Sequence, residues 1–170
     1  MNDVELPKLG ESSERYDVLD REGLATLSLS MVEQTRQTIE IVSRNLDPAI
    51  YDQDEFVSAV KQLVLGRRRA QIRIILMDSG PLLRQGHRLI ELAIRLPSYI
   101  SFRNPGRSDR EFNEAMLVAD TIGYIRRQFA DRFEGEAVFR DRRGAEELRR
   151  RFEKMWERAS PDPNLRRLSI

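Results

Sequence analysis

The spacing of apolar residues switches repeatedly between the helical and the extended period along this chain of 170 residues. Leu24, Leu27 and Met31 recur at helical spacing and predict an amphipathic helix over 23–36. The β-branched run TIEIVS predicts a strand over 38–43. The alternation continues with a helix ending at Gly66, a strand over 71–77, a helix opened by Gly80 and Pro81, and a short strand over 99–102. This order predicts an α/β fold with parallel strands joined by right-handed crossovers.

The second half of the chain has a different pattern. A buried strand is predicted over 115–119, a turn at Asp120 and Thr121, and an antiparallel return over 122–125. One more strand is predicted over 136–139. A last helix over 144–159 carries an apolar stripe that predicts a core contact, formed by Leu148, Phe152, Met155, Trp156 and Ala159. We therefore expect a single α/β domain with a mixed sheet flanked by helices.

The two ends of the chain differ from this central part in composition. Residues 1–22 contain seven acids, three bases and few apolar residues, which predicts a flexible acidic arm or linker. Pro161 and Pro163 follow the last helix and predict an extended tail over 161–170. The α/β domain is accordingly expected to span 23–160.

Composition excludes several function classes. The chain has no cysteine, so disulfides, thiolate metal sites and thiol catalysis are impossible, and its one histidine is His87. A net charge of +1 does not indicate that the whole molecule attracts nucleic acid. The start of the chain lacks a secretory signal pattern, and the uncharged run 23–32 is about half a membrane span. We expect a bacterial-type cytoplasmic protein with no cofactor, no metal site and no membrane contact.

Two sequence motifs point to a known family. The predicted strand reads Asn113-x-Ala115-x4-Asp120, and the last helix contains Phe152-x3-Trp156. In this order of helices and strands, the two motifs resemble the phospholipase D superfamily domain, whose motif strand reads His-x-Lys-x4-Asp. Asn113 takes the place of the histidine, Ala115 that of the lysine, and Asp120 keeps the aspartate. The resemblance spans roughly 24–159 and implies a phospholipase D-like mixed sheet.

The same resemblance implies a loss of catalysis. In the family, the histidine attacks phosphorus, the lysine holds the phosphate oxygens and the aspartate orients the histidine. Asn113 lacks a basic nitrogen and cannot act as a phosphoryl nucleophile, and Ala115 supplies no charge. His87, on a predicted helix away from the motif, is expected to be a solvated or hydrogen-bonded helix residue. Asp120 is interpreted first as a turn residue, because aspartate side chains bond nearby amides.

The carboxyl ends of the strands are where open α/β sheets bind ligands. The residues predicted to reach such a cleft, with a phosphate or a carboxylate as ligand, are Arg44, Asp78, Arg103, Asn113 and Asp120. The alternative, at least as strong, is that the acids and amides there cap helices and close turns. We predict no catalytic residue.

A second candidate surface is basic. Residues 126–151 hold nine arginines and six acids, and residues 67–69 form a short arginine loop. Glu146 and Glu147 precede Arg150 and Arg151 by four residues, which predicts a self-neutralised exposed helix. No stacking aromatic residues are interleaved with the arginine runs, so the pattern does not indicate a single-strand platform.

Together these observations predict a catalytically inactive phospholipase D-like domain that acts as a binding or regulatory module. Its expected partner is a small anion or a protein. Single-copy members of the family tend to pair, which predicts a homodimer, and the domain could also be an accessory part of a larger enzyme. Two alternatives stay open: a phosphodiesterase with a non-standard site, and a nucleic-acid-binding domain that uses its arginine-rich surface. Nucleic acid is the less favoured partner.

Overall fold

A computed structural model describes residues 5–163 and 165 of the chain. Its strands are β1 (Arg15–Val18), β2 (Thr38–Ser43), β3 (Gln71–Leu76), β4 (Ile100–Asn104), β5 (Ala115–Ala119), β6 (Gly123–Arg127), β7 (Gly135–Val138) and β8 (Ser160–Pro161). Its helices are α1 (Arg21–Gln34), α2 (Pro48–Tyr51), α3 (Asp54–Gly66), α4 (Gly80–Gln85), α5 (Arg88–Arg95) and α6 (Arg142–Arg158), with one 3₁₀ turn at Arg107–Asp109. In this part of the chain, no helix has an apolar stretch of the length that a bilayer crossing requires.

The eight strands form one mixed sheet in the order β1-β7-β6-β5-β2-β3-β4-β8. β2, β3 and β4 are parallel, as the helix–strand alternation predicts. β5 joins β2 antiparallel, and β6, β7 and β1 continue antiparallel from it. The predicted fold class, an α/β domain with a mixed sheet between helices, is confirmed.

The sheet has a hydrophobic core on each face, because successive side chains of a strand point to opposite sides. Ile39 and Ile41 of β2 belong to the larger core, which contains the buried residues of α1, α3 and α5. Val42 belongs to the smaller core, which α6 covers with Phe152 and Trp156. The rings of Phe152 and Trp156 stack with their centroids 5.6 Å apart. Four residues of the predicted apolar stripe are core as expected, namely Leu148, Phe152, Met155 and Trp156, whereas Ala159 caps the helix and is only half-buried.

The helix predicted between Gly80 and Pro97 is broken into α4 and α5. Gly86 ends α4 with φ 74° and ψ 163°, a backbone conformation open mainly to glycine. His87 then begins the next helix as its N-cap, and its Nδ1 accepts the backbone N–H of Leu89. The continuous apolar spacing across this segment concealed the break.

The structure also differs from the prediction of a flexible arm over 1–22. Within that segment, β1 pairs with β7, and Val18 is only 2% exposed. The Tyr16 ring meets the Phe139 ring edge-on, at 6.5 Å between centroids. Upstream, the backbone N–H of Leu9 donates to Gln34 Oε1 at 2.7 Å. A strand at a sheet edge needs only one neighbour and few apolar residues, so composition gave no sign of β1.

The extended tail predicted over 161–170 lies largely outside the described residues. In the described part, Pro161 belongs to β8, which pairs with β4. Pro163 and Leu165 have helical backbone, and Leu165 is buried in the larger core. An apolar contact thus holds this part of the tail against the domain.

Candidate functional site

Arg44 and Asn113 lie together at the carboxyl end of the parallel strands. Arg44 directly follows β2, and Asn113 lies two residues before β5, which runs antiparallel to it. Arg44 Nη1 donates to Asn113 Oδ1 at 3.4 Å, and both side chains are exposed. The backbone carbonyl of Asn113 accepts the N–H of Ala130 at 2.7 Å. Ala115 is buried as the first residue of β5. The edge therefore offers the Arg44 guanidinium and the Asn113 amide to a ligand.

Asp78 lies at the same edge but serves mainly the backbone. Its N–H donates to the carbonyl of Arg44 at 2.6 Å, which ties the ends of β2 and β3 together. Its Oδ1 accepts the N–H of Gly80 at 3.0 Å at the start of α4. This arrangement agrees with the alternative interpretation in which the acids at this edge close turns and begin helices.

Arg103, which was predicted to reach the cleft, has its guanidinium bound to Trp156. Its guanidinium lies over the Trp156 ring at 4.2 Å from the centroid. Its Nη1 also donates to the Trp156 carbonyl at 2.9 Å. Arg103 stands in β4 on the face that α6 covers, and the indole there gives the cation a favourable π surface. It is a docking residue for the end of α6.

Asp120 and Asn113 lie at opposite ends of β5, so Asp120 is at the amino end of the parallel strands and Asn113 at their carboxyl end. β5 is antiparallel to β2, so Ala119 pairs with Ile39 at the start of β2, while Met116 pairs with Val42 near its end. The prediction that one cleft contains both motif residues is therefore wrong. Asp120 has φ 53° and accepts three backbone N–H groups at 2.7–2.9 Å, from Arg36, Gln37 and Thr38. Asp120 does lie in the turn between β5 and β6, but its carboxylate binds amides of a segment distant in sequence and not the nearby amides that the turn interpretation expected.

His87 is buried and hydrogen-bonded through both ring nitrogens. Nδ1 accepts from the N–H of Leu89, so Nε2 carries the proton that is donated to the Leu46 carbonyl at 3.0 Å. Burial lowers the pKa of His87 and favours the neutral ring. The imidazole is thus fixed as part of the α5 cap. The expectation of a hydrogen-bonded histidine is confirmed, and the alternative of a solvated one is not.

The arginines of the basic segment fall into two groups, of which the first is paired. Arg126 and Arg151 both bind Glu114, and these contacts lower the pKa of Glu114 despite its partial burial. Arg127 Nη1 donates to Asp47 Oδ2 at 2.7 Å in a buried pair. Arg151 therefore does not form the predicted pair with Glu147, because its guanidinium binds Glu114, just before β5.

The second group has no acidic partner among the described residues. One member, Arg132, is exposed and lies over the Phe129 ring, 4.9 Å from its centroid. The others are the exposed side chains of Arg140, Arg142, Arg143 and Arg150, which we call the arginine surface. In the described residues, Glu146 and Arg150 do not form the predicted ion pair. Fewer arginine charges of the last helix are therefore neutralised than its sequence predicts. Three members stand on α6, two of them in its first turn, where the helix dipole already contributes positive potential.

A buried ionic cluster, which the sequence analysis missed, lies between α6 and the sheet. Glu40 of β2 is 0% exposed, with Arg149 Nε 3.1 Å and Arg73 Nη2 3.7 Å from its Oε1. Arg73 also forms a bidentate pair with Glu153, and Arg149 Nη1 donates to Thr121 Oγ1 at 2.7 Å. Burial raises the pKa of Glu40 to about 7, against the opposing effect of the two arginines.

A signal for this cluster was present in the sequence. Glu40 and Arg73 are each the lone charge inside an apolar strand, and they occupy the same third position of TIEIVS and QIRIIL. In the parallel sheet these two positions pair directly. Opposite charges at matched positions of neighbouring buried strands indicate an internal ion pair.

The described residues contain no group of three or more histidine, aspartate or glutamate side chains that could hold a metal ion. At the carboxyl edge, the Asp78 carboxylate already accepts the Gly80 N–H, while the Arg44 guanidinium and the Asn113 amide can donate hydrogen bonds to an anion.

This fold is similar to that of several solved structures. TrmBL2, an archaeal chromatin protein described as having a novel mode of DNA binding, aligns with a TM-score of 0.63 and 16% identity. The alignment covers 95% of this chain but only 56% of TrmBL2. Nuc from Salmonella typhimurium, a phospholipase D family member, aligns with a TM-score of 0.58 and 15% identity over 88% of this chain and 97% of Nuc. NucT from Helicobacter pylori aligns with a TM-score of 0.59 and 13% identity, over 88% of this chain and 100% of NucT.

These likenesses define the fold as phospholipase D-like. Residues 20–168 match the family described as a domain of unknown function, DUF7931, and the chain belongs to that family. No curated protein matches the sequence.

Proposed function

We propose that this domain is a non-hydrolytic phospholipase D-like binding module. The observation that carries the proposal is the identity of the residues at the carboxyl edge, Asn113 and Ala115, in a chain whose one imidazole is buried elsewhere. A phosphoryl nucleophile needs a basic lone pair, which an amide nitrogen lacks. The edge keeps a guanidinium and an amide, which suit a small anion or a polar group of a protein partner.

The experiment that tests the absence of hydrolysis uses bis-p-nitrophenyl phosphate as a generic phosphodiester. The purified protein is expected to release nitrophenol no faster than Asn113→Ala, because neither has a nucleophile at that position. Asp78→Ala is the matched control, since it changes the same edge without touching residue 113. Turnover that persists through further purification and disappears in Asn113→Ala would overturn the proposal in favour of a non-standard phosphodiesterase.

Anion binding at the edge is tested with inorganic phosphate. Amide and side-chain NMR signals of Arg44 and Asn113 are expected to shift on titration, because their side chains already meet at 3.4 Å. Arg44→Gln should abolish the shift, whereas Arg95→Gln, an exposed arginine at the end of α5, should not. If phosphate leaves these signals unchanged, the edge has no small-anion site and the protein-partner form of the proposal is favoured.

A second candidate function is the binding of duplex nucleic acid. The arginine surface favours it, because its four guanidinium groups have no acidic partner among the described residues and phosphate oxygens would supply one. The fold similarity to TrmBL2, described as a DNA-binding chromatin protein, is consistent with this candidate.

Salt dependence separates this candidate from the first. Duplex DNA affinity should fall steeply with salt, and the triple variant Arg142→Gln, Arg143→Gln, Arg150→Gln should reduce the log–log slope by up to about 3, near 0.9 per lost phosphate contact. A triple Arg→Gln change at 67–69, the exposed arginine loop, is the matched control and should leave the slope nearly unchanged. Equal losses in both variants would mean that no particular surface binds DNA.

The homodimer, the accessory role in a larger enzyme and the cytoplasmic location stay predictions. A homodimer is tested by sedimentation equilibrium of the purified chain. A single species of 19.9 kDa at all concentrations would exclude it.

A further inference from the structure

Glu40 occupies an unusual place for a carboxylate. It stands in the central strand β2, beneath α6, and neither of its carboxylate oxygens has a hydrogen bond of acceptable geometry. Its contacts are ion pairs, at 3.1 Å to Arg149 Nε and at 3.7 Å to Arg73 Nη2. A buried charge that is held mainly by Coulomb attraction is costly, so its protonation state responds readily to conditions.

The charges that face Glu40 come from three elements. β3 contributes Arg73, α6 contributes Arg149 and Glu153, and the β5–β6 turn contributes Asp120. With Glu40 ionised, the two arginines are balanced by Glu40 and Glu153, and Asp120 is occupied by backbone amides. With Glu40 protonated, Glu153 is left to balance both arginines, bidentately with Arg73 and at 3.7 Å from Arg149 Nε.

Arg149 is the arginine that can respond. Its side chain is 39% exposed, while that of Arg73 is only 18% exposed and bound bidentately to Glu153. Arg149 lines an open depression of about 490 Å³ between α6 and the β5–β6 turn, together with Arg150 of the arginine surface, Thr121 and the acids Glu146 and Glu153. Because both arginines line this depression, release of Arg149 would add a cation near Arg150.

We infer that Glu40 is a proton switch: its charge retains Arg149 against the sheet, and its neutralisation releases Arg149 to a polyanion bound at the arginine surface. The inference rests on the second candidate function, nucleic-acid binding. The raised pKa of Glu40 places the transition near neutral pH. Binding of the polyanion and uptake of one proton are then linked, so each promotes the other.

The test is duplex DNA binding from pH 5.5 to pH 8.5 at 0.1 M salt. The wild-type affinity should be about five- to tenfold higher at the acidic end, which corresponds to one additional phosphate contact. Glu40→Gln, which mimics the protonated side chain, should bind with the acidic-end affinity throughout. Glu147→Gln, an exposed α6 variant outside the cluster, should keep the full pH dependence. An unchanged pH dependence in Glu40→Gln would overturn the inference.

A second measurement keeps the switch testable if DNA does not bind at all. Carboxyl-carbon NMR should show Glu40 titrating near neutral pH, and the Arg149 Nε signal should change environment over the same pH interval. If both occur without DNA binding, the candidate function fails and the release of Arg149 stands. If Arg149 keeps one environment while Glu40 titrates, the switch is absent whatever the DNA result.

Discussion

Asp120 shows how one side chain can hold two distant segments together. Its carboxylate accepts the amides of residues 36, 37 and 38, which lead into β2, while its own backbone lies in the left-handed region at φ 53°. Hydrogen bonds from backbone amides to a carboxylate are about twice as strong as neutral ones. The carboxylate therefore compensates for backbone strain in the β5–β6 turn.

We predict that Asp120→Ala lowers the free energy of unfolding by about 3 kcal/mol, because it leaves three amides without an acceptor and keeps the strained φ. Asp120→Asn should lose less, since asparagine tolerates positive φ and retains one acceptor oxygen. Asp78→Ala, which frees a single side-chain-bonded amide, is the control and should lose about 1 kcal/mol. Urea titration measures all three, and equal losses in Asp120→Ala and Asp78→Ala would contradict the argument.

Glu40 predicts a pH dependence of stability. Its pKa is raised from 4.5 to about 7 in the folded protein, so the folded state binds its proton more tightly than the unfolded state. The resulting stability is fully present below pH 4.5 and is lost as pH rises through about 7, with a total of up to roughly 3 kcal/mol.

The measurement compares wild type and Glu40→Gln by urea unfolding at pH 5, 6, 7 and 8. The difference between them should change in favour of Glu40→Gln as pH rises. Comparison with this variant removes the opposite contribution of His87, whose lowered pKa makes its stabilising effect decline in acid. A difference that is constant from pH 5 to pH 8 would show that Glu40 is ionised throughout.

At the residue scale, sequence could predict chemical character but not position relative to the sheet. That Asn113 has no basic nitrogen and that an aspartate suits a turn follow from residue type alone. The separation of Asn113 and Asp120 follows from their positions before and after β5, and only the antiparallel direction of β5, which a short apolar strand does not reveal, places Asn113 rather than Asp120 at the carboxyl edge. The orientation of Arg103 toward Trp156 depends on which face α6 covers, and this is a tertiary property.

At the scale of the elements, the most buried strands were the most predictable. The predicted bounds 38–43 and 115–119 agree with β2 and β5 at both ends, because an apolar strand between polar residues is marked at each boundary. β1 and the break between α4 and α5 were missed. β1 is short and polar, and the helix break depends on the backbone of one glycine.

Gly86 provides a test of that break. We predict that Gly86→Ala lowers the free energy of unfolding by about 1–3 kcal/mol, because alanine is strained at φ 74° although its Cβ would meet no atom within 4 Å. Gly66→Ala is the matched control: its Cβ is equally free, but its φ is not positive, so the change should be neutral or stabilising by up to about 1 kcal/mol. Thermal unfolding compares the two, and equal effects would show that φ is not the cause.

At the scale of the whole molecule, α6 connects the features described above. It closes the smaller core with Phe152 and Trp156, covers the buried Glu40 and carries most of the arginine surface. A ligand at that surface would therefore act on the same helix that senses the charge of Glu40. Arg44 and Asn113 lie at the carboxyl edge, at the opposite end of the strands from Asp120. The anion proposed for that edge would therefore bind independently of a ligand at the arginine surface.

The extent of the folding unit is the last property that the structure makes testable. The match to the family begins at residue 20, whereas β1 covers the edge of β7 and buries Val18. A chain that begins at residue 20 exposes a paired edge of the sheet to solvent and to other chains, which favours aggregation.

We predict that the chain beginning at residue 20 is less stable than the full chain by at least about 3 kcal/mol, through loss of Val18 burial, the Tyr16 contact and the β1–β7 ladder. A chain beginning at residue 13 keeps β1 and loses the hydrogen bonds from Leu9 to Gln34 and from Gly10 to Phe139, so it should lose about 1–2 kcal/mol. Urea unfolding and light scattering measure stability and association. Equal stability of the two truncated chains would restore the interpretation of residues 1–22 as a flexible arm, because β1 would then contribute nothing to the domain.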